Sequence, residues 1–247
     1  MKPAPVRAAL IIGANSTIAQ ALQAAVLAKG EYGALITISR QAIAPEDPRH
    51  IALQCDNSEA SIAQCLASID NTVSIEAVFI CNGILHQKDQ PSSAIKPEKR
   101  LEEIHAEQMQ AVFNANTITP MLWLKHLVKV FAKHTNSTLV VFSARVGSIQ
   151  DNHLGGWYSY RASKAALNML VKTAAIEYAR RNKYVKLIAF HPGTTDTPLS
   201  QPFQANLGNK PLFTPDFVAQ RLLQLIPNYA PDGQASFIDW QGKNIDW

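Results

Sequence analysis

Short, mostly apolar runs alternate along this chain with longer stretches in which apolar residues recur every three or four positions. The runs are Ala8–Ile12, Ala34–Ile38, Ile51–Leu53, Val78–Ile80, Leu139–Phe142, Val185–Phe190 and Ser236–Ile238. Ala8–Ile12 in particular reads as a strand covered on both faces, because neither side of its pleat meets water. After the first run, Ile18, Leu22, Ala25, Val26 and Leu27 mark one face of a helix, and Gly30 stands where a left-handed stop is needed. Further helical patterns cover Glu59–Ile69, Glu98–Met109, Val112 to about Lys133, and the Ala- and Leu-rich stretch that carries Tyr160. Pro120 inside the third of these predicts a kink or a break, since proline removes a helical donor. Pro91–Pro97 reads as a turn, and Thr214-Pro215-Asp216 opens a last helix with Thr214 as N-cap and Pro at the first helical position.

Strands alternating with helices, with no repeat and no long linker, predict an α/β fold. The expected architecture is a single domain over residues 1–247, a doubly wound parallel sheet (Rossmann-like) with helices on both faces. Ligands of such sheets sit at the carboxyl ends of the strands. Gly13, Ser39-Arg40, Asp56, Cys81–Gly83, Ser143 and His191–Gly193 all fall at those ends.

Charge and composition narrow the partners. The net charge of +4 is modest and the basic residues are scattered, so neither nucleic acid nor a membrane surface is favoured. No apolar run approaches a membrane span, and Ala8–Ile12 is too short for a leader core. Cys55, Cys65 and Cys81 lack metal-ligand spacing and fit reduced, mostly buried thiols in a cytoplasmic protein.

Two local arrangements carry chemistry. Strand, small-residue turn Gly13–Thr17 and helix together point free backbone N–H groups at a phosphate. Tyr160 and Lys164, four residues apart on a helix, share one face, and an ammonium beside a phenol favours the phenolate and lowers its pKa. That makes Tyr160 a candidate proton donor. Tyr158, by contrast, has Ala162 one turn on.

Gly13-Ala-Asn-Ser-Thr-Ile18, Asp56, Cys81-Asn82-Gly83, Asn116, Tyr160-x-x-Ser163-Lys164 and Pro192-Gly-Thr-Thr195-Asp-Thr197 occur in that order along the chain. In this the sequence resembles the short-chain dehydrogenase/reductase family over essentially its whole length. Ser143–Ile149, Gly155–Lys164 and the tail Trp240–Trp247 are similar to the C-factor-like branch, related to sniffer-type carbonyl reductases. The resemblance implies a nicotinamide dinucleotide whose pyrophosphate is cradled by Asn15, Ser16, Thr17 and Ile18 after Gly13. Asp56 would hold the adenine, Asn82 and Gly83 would form part of the shelf, and Pro192, Thr195 and Thr197 would orient the carboxamide. Thr17 and Ala19 stand where the family usually has glycines; a position needing positive φ would disfavour Thr17.

At the end of the second strand Ser39 replaces the acid that would repel a 2′-phosphate, and Arg40 follows; NADP(H) is therefore expected over NAD(H). The implied reaction reduces a small aldehyde or ketone, with Tyr160 giving the proton and Lys164 lowering its pKa. Asn116 would anchor a proton-returning water chain, or else simply satisfy the kink near Pro120. Two departures from the family stand out. Ala144 occupies the place of the family's carbonyl-polarising serine, so Ser143, Ser148 or neither takes that role; Ser143 can serve only where the strand end bulges or turns. Cys81-Asn82 likewise displaces an asparagine by one position. Residues 194–214 are expected to form a substrate lid, and the family implies a homodimer or homotetramer. The alternative is a non-catalytic or signalling protein that keeps nucleotide binding.

Overall fold

The computed structural model describes residues 4–87, 95–209 and 211–247. Seven parallel strands form one sheet: β1 (Val6–Ile12), β2 (Ala34–Ser39), β3 (His50–Gln54), β4 (Val73–Ile80), β5 (Ser137–Phe142), β6 (Val185–His191) and β7 (Ala235–Asp239). Their order is β3-β2-β1-β4-β5-β6-β7, with every neighbouring pair parallel. Chain order reverses direction between β1 and β4, which opens a crevice at their carboxyl ends.

Helices cover both faces because successive strand residues point to opposite sides. Leu10 and Ile12 join one core, built with Trp123, Leu124 and Leu127 of α4 (Thr119–Leu127) and Leu167 and Val171 of α5 (Tyr158–Arg181). Ile62 of α2 (Glu59–Ala67) belongs to the same core. Ala9 and Ile11 join the other core, with Leu22 and Val26 of α1 (Thr17–Lys29) and Val218 and Leu222 of α6 (Pro215–Leu225). Gly30 ends α1 at φ 67°, and the Thr214 side chain caps α6 by accepting from Phe217 N.

Three expectations are corrected in the middle of the chain. β4 starts at Val73 rather than Val78, since its first half alternates Ser74 and Glu76 with apolar residues. The polar helix expected over Glu98–Met109 is a short 3₁₀ turn, Leu101–Glu103, followed by α3 (Ala106–Phe113). Glu98 lies outside any helix because its carboxylate is taken by Ser159 at the start of α5. The long helix from Val112 is broken by a π-helical turn, Asn114–Ile118, just ahead of Pro120. The wider turn accommodates a ring that lacks an N–H and would press on the preceding carbonyl. Of the turn expected over Pro91–Pro97, residues 91–94 lie outside the described residues; Ile95 pairs with Gln87 in an antiparallel bridge.

Candidate active site

Gly13 leaves β1 at φ 76°, and its N–H and that of Ala14 both donate to Ile38 O, at 2.9 and 3.1 Å. A Cβ on Gly13 would stand 3.1 Å from Asn82 N, so the loops after β1 and β4 touch through the missing side chain. α1 then begins with Ser16 as N-cap, without a side-chain cap bond and with no acid in its first turn. Its first N–H groups have no helical partner and carry the positive end of the helix dipole. Thr17 does not have a positive φ, so the missing glycine costs the turn no strain.

One cleft is lined by Asn15–Ile18, Cys81–Gly83, Phe142, Ser143, Tyr160, Lys164, Pro192 and Thr197–Leu199. Asn82 Oδ1 is buried there with no partner. An orphaned acceptor, a glycine contact and an uncapped helix N-terminus fit a ligand with an anionic pyrophosphate and hydrogen-bond donors. Ser39, Arg40 and Asp56 lie at the neighbouring strand ends. Ser39 is buried with its hydroxyl donating to Gln41 O, while Arg40 is exposed. The exposed Asp56 carboxylate accepts from Ser58 N at 2.8 Å, and its bonds to Ser58 hold it below the usual carboxylate range. Thr195 is buried beneath the loop, and Thr197 Oγ1 donates to Thr195 O at 3.3 Å.

Tyr160 and Lys164 do share the cleft-facing side of α5. Burial is what governs the titration of both groups. Lys164 Nζ donates to Phe142 O at 2.9 Å, and burial lowers its pKa to about 8. Burial pushes Tyr160 up to about 12, with no offset from Lys164. The amine is drawn to the end of β5 because a buried donor needs an acceptor, and the strand-end carbonyl is the one within reach.

Asn116 sits in the π-helical turn, fully buried. Its Oδ1 accepts from Ile84 N at 2.7 Å, and its Nδ2 donates to Ile84 O at 2.9 Å and to Ser163 Oγ at 3.1 Å. The side chain thus ties the loop after β4 to α5, beside Tyr160. Ser143 continues β5, its N–H donating to Phe190 O at 2.8 Å, and the 3₁₀ turn starts only at Arg145. There is no bulge to bring it round, and its hydroxyl donates to Asn168 Oδ1 at 2.6 Å. Ser148 accepts from Asp151 N at 3.1 Å and is buried. The condition for Ser143 to polarise a substrate is therefore not met.

Sequence reasoning missed three participants: Asn168, the Phe142 carbonyl and Glu98. Asn168, one turn past Lys164, was legible in principle as a polar residue on the buried face of α5. The others act through backbone or long-range contacts that leave no periodic signal.

Fold and cleft define a doubly wound α/β protein with its site at the switch point of the sheet. Residues 7–208 match the family model described as short chain dehydrogenase, and the chain belongs to that family. It is 34% identical over 107 residues to 1-hydroxy-2-glutathionyl-2-methyl-3-butene dehydrogenase of Rhodococcus sp. (strain AD45), covering 43% of this chain and 45% of that relative. This match spans less than half of the relative's own length. It is 28% identical to C-signal of Myxococcus xanthus (60% and 83% covered) and 25% identical to benzil reductase ((S)-benzoin forming) of Bacillus subtilis (91% and 95% covered). The fold is shared with a Burkholderia multivorans short-chain dehydrogenase/reductase with bound NADP (TM-score 0.79, 19% identity, 98% and 100% covered). It is shared as well with carbonyl reductase Sniffer of D. melanogaster (TM-score 0.81, 19% identity, 97% and 99% covered).

Proposed function

We propose that this protein is an NADPH-dependent reductase of a small aldehyde or ketone, with Tyr160 as proton donor. The reading is carried by one observation: Tyr160 and Lys164 line the same cleft as the uncapped N-terminus of α1. N–H groups of Asn15–Ile18 bind the pyrophosphate, Asn82 and Gly83 border the adjoining shelf, and Asp56 takes the adenine end. Arg40, exposed at the end of β2, pairs with a 2′-phosphate. The bound nicotinamide supplies the hydride. Pro192, Thr195 and Thr197 hold its carboxamide, and Lys164 holds its ribose. A phenol at about 12 keeps its proton at neutral pH and gives it up to an oxygen becoming an alkoxide, a much stronger base. Lys164, near 8, exchanges a proton close to neutrality and can recharge Tyr160. Asn116 positions this end of α5. Residues 194–214, of which Lys210 lies outside the described residues, cover the cleft through Thr197, Pro198 and Leu199.

The likeness to carbonyl and benzil reductases supports this class of substrate. We place the protein in the cytoplasm as a homodimer or homotetramer joined through α4 and α5, where Met169 and Ile176 expose apolar surface; sedimentation measures that state. Among the described residues no helix is long and apolar enough to cross a membrane. The deciding experiment follows NADPH absorbance with a panel of carbonyl compounds. Turnover lost in Tyr160→Phe, on the order of 10² to 10⁴-fold, supports the reading. A second reading, nucleotide binding without turnover, is favoured by Ala144 and by the likeness to C-signal. Tight NADPH binding with no turnover across the panel would establish it.

A further inference from the structure

We propose that Trp157 is a specificity-determining residue, an aromatic wall beside Tyr160 that takes a flat apolar substituent of the substrate, and that Glu98 is the positioning residue that holds it there. This rests on the reductase reading above.

The segment leading into α5 turns through three successive left-handed residues: Gly155 at φ 63°, Gly156 at φ 65° and Trp157 at φ 54°. The glycines adopt that conformation freely, but a bulky side chain resists it. Something must hold Trp157 in place. Trp157 N donates to the Glu98 carbonyl, Ser159 N donates to Glu98 Oε2 at 3.1 Å, and Ser159 Oγ donates to the other carboxylate oxygen. Glu98 is 3% exposed. α5 has no side-chain cap of its own, so a buried carboxylate from a loop 61 positions away in sequence caps it instead.

The clamp sets the direction of the indole. Its ring stands nearly edge-on to Tyr160, with centroids 6.2 Å apart and planes at 75°. It also lies 5.0 Å from Phe203, in the 3₁₀ turn Gln201–Asn206 of the lid. His86 extends the row: its ring is 5.8 Å from Phe203, and its Nε2–H donates to Pro198 O at 3.0 Å. Rings therefore run from the proton donor to the lid, and Trp157, Tyr160 and Phe203 all keep partly exposed surface. A carbonyl whose oxygen meets the Tyr160 hydroxyl directs one substituent along this row. Ring faces and edges favour an aryl group there over a flexible alkyl chain, through stacked or edge-to-face contact.

The test compares kcat and KM with NADPH for acetophenone and for methyl hexyl ketone, an aryl and an alkyl ketone of matched size. The aryl-to-alkyl ratio of kcat/KM within one preparation is independent of the folded fraction. The wild type is expected to prefer acetophenone. Trp157→Leu should lower the ratio about tenfold, mainly through KM, while Trp157→Phe keeps it within about threefold. Glu98→Gln should shift the ratio in the same direction, and Glu98→Gln with Trp157→Leu should be no worse than Trp157→Leu alone. An unchanged ratio in Trp157→Leu, or an additive double variant, overturns the inference while leaving the reductase reading intact. Wild-type protein that binds NADPH and reduces no carbonyl compound overturns both.

Discussion

Ser143 Oγ donates to Asn168 Oδ1 at 2.6 Å, and Asn168 Nδ2 donates in turn to the carbonyl of Gly147 at 3.2 Å. The Gly147 carbonyl can only accept, which fixes the Asn168 amide with its oxygen toward Ser143. The Ser143 proton is therefore spent inside the protein. Gly147 itself tolerates no side chain, since a Cβ there would lie 2.8 Å from the Lys164 backbone.

It follows that Ser143→Ala should leave kcat within about threefold and cost about 1 kcal/mol of stability, the net worth of one buried hydrogen bond. Steady-state kinetics and denaturant titration of this variant check both expectations.

Arg40 stands exposed at the end of β2, where its guanidinium is free to meet a phosphate. Arg40→Ala should raise KM for NADPH by about tenfold or more, the loss of one charge-assisted contact worth about 1.4 kcal/mol, and change KM for NADH less than twofold. Equal effects on the two cofactors would remove the argument for NADP(H).

Gly13→Ala should impair cofactor binding and stability together. The residue holds φ 76°, and the added methyl would press on Asn82 N and on the Cys81 carbonyl carbon, 3.1 and 3.2 Å away. A cost of about 1–3 kcal/mol is expected, read from thermal melting, with a matching rise in the Kd of NADPH.

His191, at the end of β6, has Nδ1 sealed from water without a partner. Burial, and after it the cation of Arg145, lowers its pKa to about 4, against the opposing pull of Asp239 and Asp151. The unfolded chain protonates a histidine near 6.5. The folded protein binds fewer protons than the unfolded one between those values, so stability is full above about 6.5 and is lost as pH falls toward 4. Urea titrations from pH 7 to 4 should show this slope in the wild type and a flatter one in His191→Gln.

Much of the fold was legible because period carries it. β2, β5 and β6 stand close to their apolar runs, and the Tyr160–Lys164 pair shares a face because α5 has helical spacing. Boundaries failed where polar residues interrupt a buried strand, as at Ser74 and Glu76, and where a helix changes pitch ahead of Pro120.

The sequence by itself determined an α/β chain with seven strands, a small-residue turn into α1, and a tyrosine one turn before a lysine. Only the tertiary structure decided what the polar groups of the cleft do. Lys164 binds the Phe142 carbonyl, Ser143 gives its proton to Asn168, and Glu98 caps α5 across 61 positions of sequence. Hydrophobic burial repeats with the backbone and so is written along the chain. A buried donor takes whichever acceptor the packed strands and helices bring near it, and that is set only when distant segments meet.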